Sequence, residues 1–334
     1  MTPVRFCVLG AGSWGAVMAA HLHRSGHTTT CWHFIEDEAR EFETTRKHPF
    51  LDGFEFPPGL RIISNLHEAL DGAEIVVVAV PSQVVRHVME QTAPLMGDRP
   101  VMNLSKGIEQ GTLLRMSEVI LATTDLPPER IATVYGPSHA EEVMQQLPTT
   151  LVAASENLEY AQRLQQLLST ERLRVYTNRD IIGVELGGSV KNVIAIAAGI
   201  CAGIGYGDNT MAALVTRGLA EITRLGLALG AERQTFAGLT GIGDLVVTAY
   251  SRHSRNRYLG VEIGQGRKVK EVLDGMEMVA EGLYTAQSVM GLAEKFKVDL
   301  PICQEVYRVL FEDKDPRQAI NDLMTRDLRD ETTT

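Results

Sequence analysis

Cysteine is scarce and scattered: Cys7, Cys31, Cys201 and Cys303 show no paired spacing and have no histidines at zinc-finger intervals. Neither a disulfide framework nor a structural zinc site is expected, so the four read as reduced core thiols and no metal is assigned. Basic charge is in deficit, with 32 Lys and Arg against 42 Asp and Glu and a net charge of -10. That balance repels nucleic acid and anionic lipid, so any phosphate-bearing ligand must meet a local basic patch. No basic start leads into an apolar segment and a small-residue cleavage site; no signal peptide is read, and a cytoplasmic protein is expected. The longest apolar stretch, residues 193–204, falls short of the roughly 20 residues that span a bilayer. It reads as a buried helix, with no membrane insertion. What is present is 334 residues, 44% of them hydrophobic. That suffices for about two domains of roughly 150 residues with cores that need no staples.

Short β-branched runs alternate with helical patterns through the first half, at residues 4–9, 27–32, 60–63, 75–80, 101–104 and 131–135. The alternation predicts a parallel, doubly wound sheet of Rossmann type, an α/β fold. Residues 75–80 are apolar on both faces, as strands covered by helices on both sides are. Two more strands are expected at 150–154 and 173–176, separated by a helix marked by Leu158, Ala161, Leu164 and Leu168. From about Asp180 helix follows helix, with glycine-rich joints at 199–207 and 238–243. A late helix carries Leu283, Ala286, Val289, Met290, Ala293 and Phe296 on one face and ends before Pro301. The expected division is a dinucleotide-binding domain over 1–180 and a C-terminal all-helical domain over 181–330.

Gly10-Ala11-Gly12-Ser13-Trp14-Gly15 supplies the GxGxxG spacing directly after the first strand and ahead of a helix-forming segment. In a chain with 30 glycines the spacing alone means little, and its placement gives it weight. Gly10 permits the tight turn, Gly12 lets backbone approach a pyrophosphate, Gly15 packs helix on strand, and the helix N-terminus attracts the anion. Dinucleotide binding is expected, with a tight structural turn as the alternative. A site for NAD would end its second strand on Asp or Glu for the ribose 2'-hydroxyl. Here the run ends Thr30-Cys31-Trp32-His33, and Glu36 and Asp37 come later. With His33 in that place, NADP(H) is expected to serve at least as well as NAD(H), unless Glu36 reaches back to the ribose.

Two lysines stand where lysine is unexpected. Lys106 follows the 101–104 run by one serine, at the carboxyl end of a strand, the edge that faces ligand in open α/β sheets. Lys191 leads a helix otherwise built of Ala, Ile, Val and Gly, so it either snorkels to the surface or is held in a site. A desolvated lysine has a lowered pKa, which suits proton transfer to a carbonyl oxygen near neutral pH. Asp244 is the candidate to orient or counterbalance it. Gly136-Pro137-Ser138-His139-Ala140 closes another strand with exposed amides and a hydroxyl, which turn chemistry alone would also explain. His139 is a candidate acid or base, or a surface polar group. The segment from Thr240 to Thr248 runs on into Arg252, Ser254, Arg255, Asn256 and Arg257. These three arginines in an acidic protein are the basic patch that a phosphate requires, or else a solvated helix face.

Over nearly the whole chain these segments resemble the bacterial NAD(P)-dependent glycerol-3-phosphate dehydrogenases. The resemblance rests on the glycine loop with Trp14, on Ser105-Lys106-Gly107, on Gly136-Pro137-Ser138, on Val190-Lys191-Asn192, and on Asp244, Leu245 and Thr248 followed by Ser254-Arg255-Asn256. It implies reduction of dihydroxyacetone phosphate to sn-glycerol 3-phosphate for phospholipid synthesis, with NAD(H) or NADP(H) as cofactor. By the same resemblance Lys191 is the proton donor or acceptor, and Lys106 contacts substrate and the nicotinamide side. Gly136 and Ser138 touch substrate, Ala140 the cofactor, and Asp244 and Thr248 line the reacting end. Ser254, Arg255 and Asn256 hold the phosphate, and Ser13, Trp14, Arg255, Val279 and Glu281 border the dinucleotide. The chain departs from the family at residues 48–53, reading His48-Pro49-Phe50-Leu51-Asp52-Gly53 where members often read close to NxxYLPG. Two other functions stay open: a hydroxyacid dehydrogenase of similar plan, with Arg255 on a carboxylate, and a non-catalytic dinucleotide sensor. Homodimer formation is also left open.

Overall fold

Each β-branched run of the first half becomes a strand of one sheet: β1 (Arg5–Leu9), β2 (Thr28–Trp32), β3 (Arg61–Ile63), β4 (Ile75–Val78), β5 (Val101–Asn103), β6 (Ile131–Tyr135), β7 (Thr149–Ala154) and β8 (Leu173–Asn178). The computed structural model describes residues 2–276, 280–328 and 330–331. The strand order is β3-β2-β1-β4-β5-β6-β7-β8, and its first six members have the order of a doubly wound dinucleotide-binding sheet. All four residues of β4 are fully buried, so both faces of the sheet are covered there. The expectation of an all-parallel sheet needs one correction, because β7 runs antiparallel to β6. The physical reason lies in the connection between them, whose only helix, Ala140–Met144, is five residues long. Parallel neighbours need a full crossover helix, whereas a short return leaves the next strand antiparallel.

Helices α1 (Ser13–Arg24), α2 (Glu36–Thr45), α3 (Leu66–Leu70), α4 (Val85–Met96), α5 (Met116–Thr123), α6 (Ala140–Met144) and α7 (Leu158–Leu168) belong with this sheet in one compact unit, Met1–Ser105 with Met116–Ile181. The second unit joins Lys106–Arg115 to Ile182–Thr334, so it includes a segment that the 1–180 span would have given to the first. It holds α8 (Ile181–Ile204), α9 (Asp208–Ala228), α10 (Arg233–Phe236), α11 (Asp244–Tyr250), α12 (Arg255–Gly264), α13 (Val269–Asp274), α14 (Glu281–Phe296), α15 (Pro301–Phe311) and α16 (Pro316–Met324), with no strand among its described residues.

Helix α8 has 24 residues, more than the apolar stretch at 193–204 suggested, and Lys191 lies in its middle instead of leading it. By length and composition it is capable of crossing a membrane, yet it is buried inside its own unit. Gly187 and Gly188 do not break it, because Gly187 is where the chain comes close: a Cβ there would stand 2.5 Å from the Thr240 carbonyl oxygen. That approach seats the turn of Leu239–Gly243 that leads into α11. Gly199 and Gly203 likewise face Gly260 and Gly264 of α12, and a Cβ on Gly199 would lie 2.1 Å from the Arg257 carbonyl oxygen. Small residues on α8 thus fix both α11 and α12 against the helix that carries Lys191.

Candidate active site

In the sheet unit the glycine loop joins β1 to α1. Gly10 has φ +109°, and a Cβ on it would stand 2.7 Å from the Ala79 carbonyl oxygen, so only glycine fits. A Cβ on Gly15 would fall 2.0 Å from the Gly10 carbonyl oxygen, whereas one on Gly12 would meet nothing within 4 Å. The loop is therefore closed on the protein side and open at Gly12. Gly12 is the N-cap of α1 and supplies no side-chain cap to this twelve-residue helix. Ser13 and Trp14 occupy that first turn, with Trp14 packed against the sheet unit's core. These residues fit a pyrophosphate, and the nicotinamide dinucleotide would be held here.

His33 follows β2 directly, as expected, but it is not a solvated loop residue. It is 9% exposed, donates through Nε2 to Glu38 Oε2 at 2.7 Å, and lies 5.4 Å from the Phe42 ring. Glu36, whose reaching back to the ribose would have undone the expectation for NADP(H), accepts from Arg40 at 2.8 Å on the exposed face of α2. The carboxylate that His33 holds beside the strand end is thus Glu38. At the carboxyl end of β6, Gly136 has φ +148° and a Cβ there would lie 2.9 Å from the Thr150 carbonyl oxygen. Ser138 donates to the Gly136 carbonyl at 3.1 Å, and Ala140 opens α6.

The helical unit assembles the catalytic candidates. Lys191 is 5% exposed and donates to Asp244 Oδ1 and, at 2.6 Å, to Thr248 Oγ1; Thr248 donates in turn to the Asp244 carbonyl at 2.6 Å. Lys106 donates to the other carboxylate oxygen of Asp244 at 2.7 Å. Asp244 and Thr248 sit one turn apart on α11, so a single helical face presents both to Lys191. Burial pushes the Lys191 ammonium down to about 7; Asp244 opposes this and Lys106 adds to it. Burial alone would raise the Asp244 carboxyl, but Lys106 and Lys191 outweigh it and hold it below the ordinary carboxylate range. The set holds a carboxylate bridging two ammonium groups, one of them poised to exchange a proton near pH 7.

Ser254 uses its hydroxyl to cap α12, accepting from the Arg257 amide at 3.2 Å. This places Arg255 at the exposed first position of that helix and Asn256 behind it, 8% exposed, with its Oδ1 accepting from the Gly282 amide at 2.9 Å. Asn256 thereby joins the start of α12 to that of α14, whose first residue is Glu281. Val279 lies outside the described residues.

Sequence reasoning missed what holds Lys106 in place. The 106–115 segment is tied down by a buried ion pair, Arg115 to Glu185 at 2.6 Å, and by the hydroxyls of Ser189 and Ser288 donating to the carbonyls of Gly107 and Ile108 at 3.2 and 3.1 Å. Glu185 carried a readable signal: it is a second charge in the apolar helix that drew attention to Lys191.

A glycine cradle on a doubly wound sheet, in one chain with a helical unit that buries a lysine against a carboxylate, defines a two-domain NAD(P)-dependent dehydrogenase. Residues 5–161 match the family model described as NAD-dependent glycerol-3-phosphate dehydrogenase N-terminus, and residues 180–321 match that of its C-terminus. A glycerol-3-phosphate dehydrogenase of the NAD(P)+ type from Chlorobium limicola is 52% identical over 336 residues, covering 98% of this chain and 99% of the relative. One from Prosthecochloris aestuarii is 51% identical, with 97% and 98% covered. The crystal structure of glycerol-3-phosphate dehydrogenase from Coxiella burnetii superposes with a TM-score of 0.93 at 37% identity, over 97% of this chain and 99% of that one. The chain belongs to the NAD-dependent glycerol-3-phosphate dehydrogenase family.

Proposed function

We infer that this chain reduces dihydroxyacetone phosphate to sn-glycerol 3-phosphate with NAD(P)H, reversibly, and that Lys191 exchanges the proton with the substrate oxygen. The observation that carries the role of Lys191 is its burial against Asp244 and Thr248 with its ammonium brought down to about 7. When bound, the nicotinamide supplies the hydride to the ketone carbon. Lys191 gives its proton to the oxygen as charge develops there, leaving a neutral amine that Thr248 and Asp244 keep in place. Lys106 shares the carboxylate of Asp244 and adds positive charge beside the developing alkoxide. The product is the backbone for glycerophospholipid synthesis, and four buried, unpaired cysteines suit a reducing cytoplasm. Following NADPH absorbance with dihydroxyacetone phosphate against a panel of 2-keto and 3-keto acids tests the substrate class; preference for a keto acid would transfer the chain to the hydroxyacid dehydrogenases.

Arg255, exposed at the N-terminus of α12, is the phosphate anchor in this scheme, with Asn256 supplementing it. Arg255→Lys keeps the charge and loses the planar fork. It is expected to weaken substrate by about 1 to 3 kcal/mol, read as a raised KM for dihydroxyacetone phosphate. An unchanged KM would remove Arg255 from the phosphate site.

His33 carries the cofactor choice. NADPH is expected to serve at least as well as NADH, because the Glu38 carboxylate beside the end of β2 is engaged by the His33 ring. His33→Asp puts a carboxylate at the strand end and frees Glu38, so the dianionic 2'-phosphate meets repulsion while the ribose hydroxyls of NADH gain an acceptor. kcat/KM for both cofactors in wild type and variant decides it. A wild type strongly preferring NADH would mean that Glu38 already serves the ribose.

A further inference from the structure

We infer that His48 is a positioning residue for the dinucleotide: its imidazole locks the Ala11–Gly12 peptide in the orientation that turns the Gly12 amide away from the protein and toward the pyrophosphate. The inference rests on reading the sheet unit as the dinucleotide site. His48 lies in the segment where the chain departs from its family, between α2 and β3, and is 5% exposed. Its Nδ1 accepts the Phe50 backbone N–H at 3.2 Å, and its Nε2 stands 3.0 Å from the Ala11 carbonyl oxygen. A backbone N–H only donates and a carbonyl oxygen only accepts, so the hydrogen is on Nε2 and the ring is neutral.

In a trans peptide the carbonyl and the amide hydrogen point in opposite directions. Holding the Ala11 carbonyl on His48 therefore directs the Gly12 N–H the other way, at a residue where even a Cβ would meet nothing within 4 Å. A loop of glycines needs such a lock. Glycine allows either orientation of the peptide at little cost, and the flipped one would present a carbonyl oxygen to an anion. The ring itself is held in plane by aromatic neighbours: it stacks on Phe42 at 5.5 Å and 26° and meets Phe50 at 5.9 Å and Phe54 at 6.3 Å edge-on. Phe42 also meets the ring of His33 at 5.4 Å, and His33 is paired with Glu38.

The neutral ring satisfies both partners. A proton on Nδ1 would face the Phe50 N–H, donor against donor. Burial pushes His48 below its ordinary value, the bond to Ala11 opposes this, and the nearby His33 adds to it. Protonation of Nδ1 would thus cost the bond from Phe50 and not the one to Ala11, which Nε2 donates in either form.

The test compares wild type, His48→Leu and His48→Gln with NADH, which lacks the titrating 2'-phosphate, and with NADPH at pH 7.5. Leu fills the aromatic nest without a donor, whereas the Gln amide can donate to Ala11 and does not titrate. The Leu variant is expected to raise the cofactor KM, and the Kd read by NADH fluorescence, at least about tenfold. Its kcat at saturating cofactor and its KM for dihydroxyacetone phosphate should stay within about twofold. The Gln variant should recover most of the affinity. Unchanged cofactor affinity in the Leu variant would overturn the inference. So would equal losses of kcat and affinity that Gln does not repair, since that pattern marks a packing residue. A wild type that binds neither cofactor would overturn the reading of the sheet unit itself, a result visible before any variant is made.

Discussion

Lys191→Ala is expected to lower kcat at least about a hundredfold while the Kd for cofactor holds, because a general acid contributes on that scale and the dinucleotide cradle lies on other elements. The size of the effect follows from the surroundings. Lys191 is nearly fully buried, and its contacts among the side chains are Asp244 and Thr248, so no neighbouring lysine slides into its place; Lys106 is committed to the opposite carboxylate oxygen. The pH profile supplies a second reading. With the ammonium near 7, reduction of the ketone needs the protonated form, so its kcat should fall as pH rises through about 7. Oxidation of the alcohol needs the free amine, so its kcat should rise through the same range. Opposite limbs with one shared midpoint identify a single group working in both directions. Turnover retained in the alanine variant, or limbs that move the same way, would end the assignment of Lys191.

How far the sequence foretold these arrangements depends on the range over which each is set. The strands were legible because eight β-branched runs punctuated by helical patterns are local signals. The direction of β7 was not: a buried strand is apolar on both faces whether its neighbour is parallel or antiparallel, and only the short return through α6 decides it. Lys191 was legible as a charge in an apolar helix, whereas Asp244 and Thr248 at the reacting end came from the family resemblance. The length of α8 was not, since Gly199 to Gly207 read as a joint; the closeness of Arg257 that makes glycine necessary at Gly199 comes from a residue more than fifty positions away. The attachment of 106–115 to the helical unit was equally hidden. Its ties run from Arg115 to Glu185 and from Ile108 to Ser288, which no periodicity links. His33 was placed correctly along the chain, but the burial that turned it onto Glu38 depends on the packing of Phe42.

Asp244→Asn should damage both stability and turnover, and should do so in a diagnostic way. The carboxylate is 1% exposed and gives one oxygen to each lysine. Asparagine keeps the shape, removes the charge, and turns one acceptor into an NH2 group facing an ammonium, donor against donor. Two cations then share a site with no counter-charge, and breaking a buried ion pair from one side destabilises by about 3 to 5 kcal/mol, which a urea melt will show. Chemistry suffers by a separate route. Asp244 is what opposes the downward push of burial on Lys191, so without it the ammonium must deprotonate at still lower pH. The alkaline limb of ketone reduction should accordingly move below about 7, and kcat at pH 7.5 should fall at least about tenfold, with part of the loss recovered on acidification. A variant that is less stable but keeps the wild-type limb would show that Asp244 only holds α11 and α8 together. A limb moved to higher pH would show that the charge governing Lys191 belongs to another group.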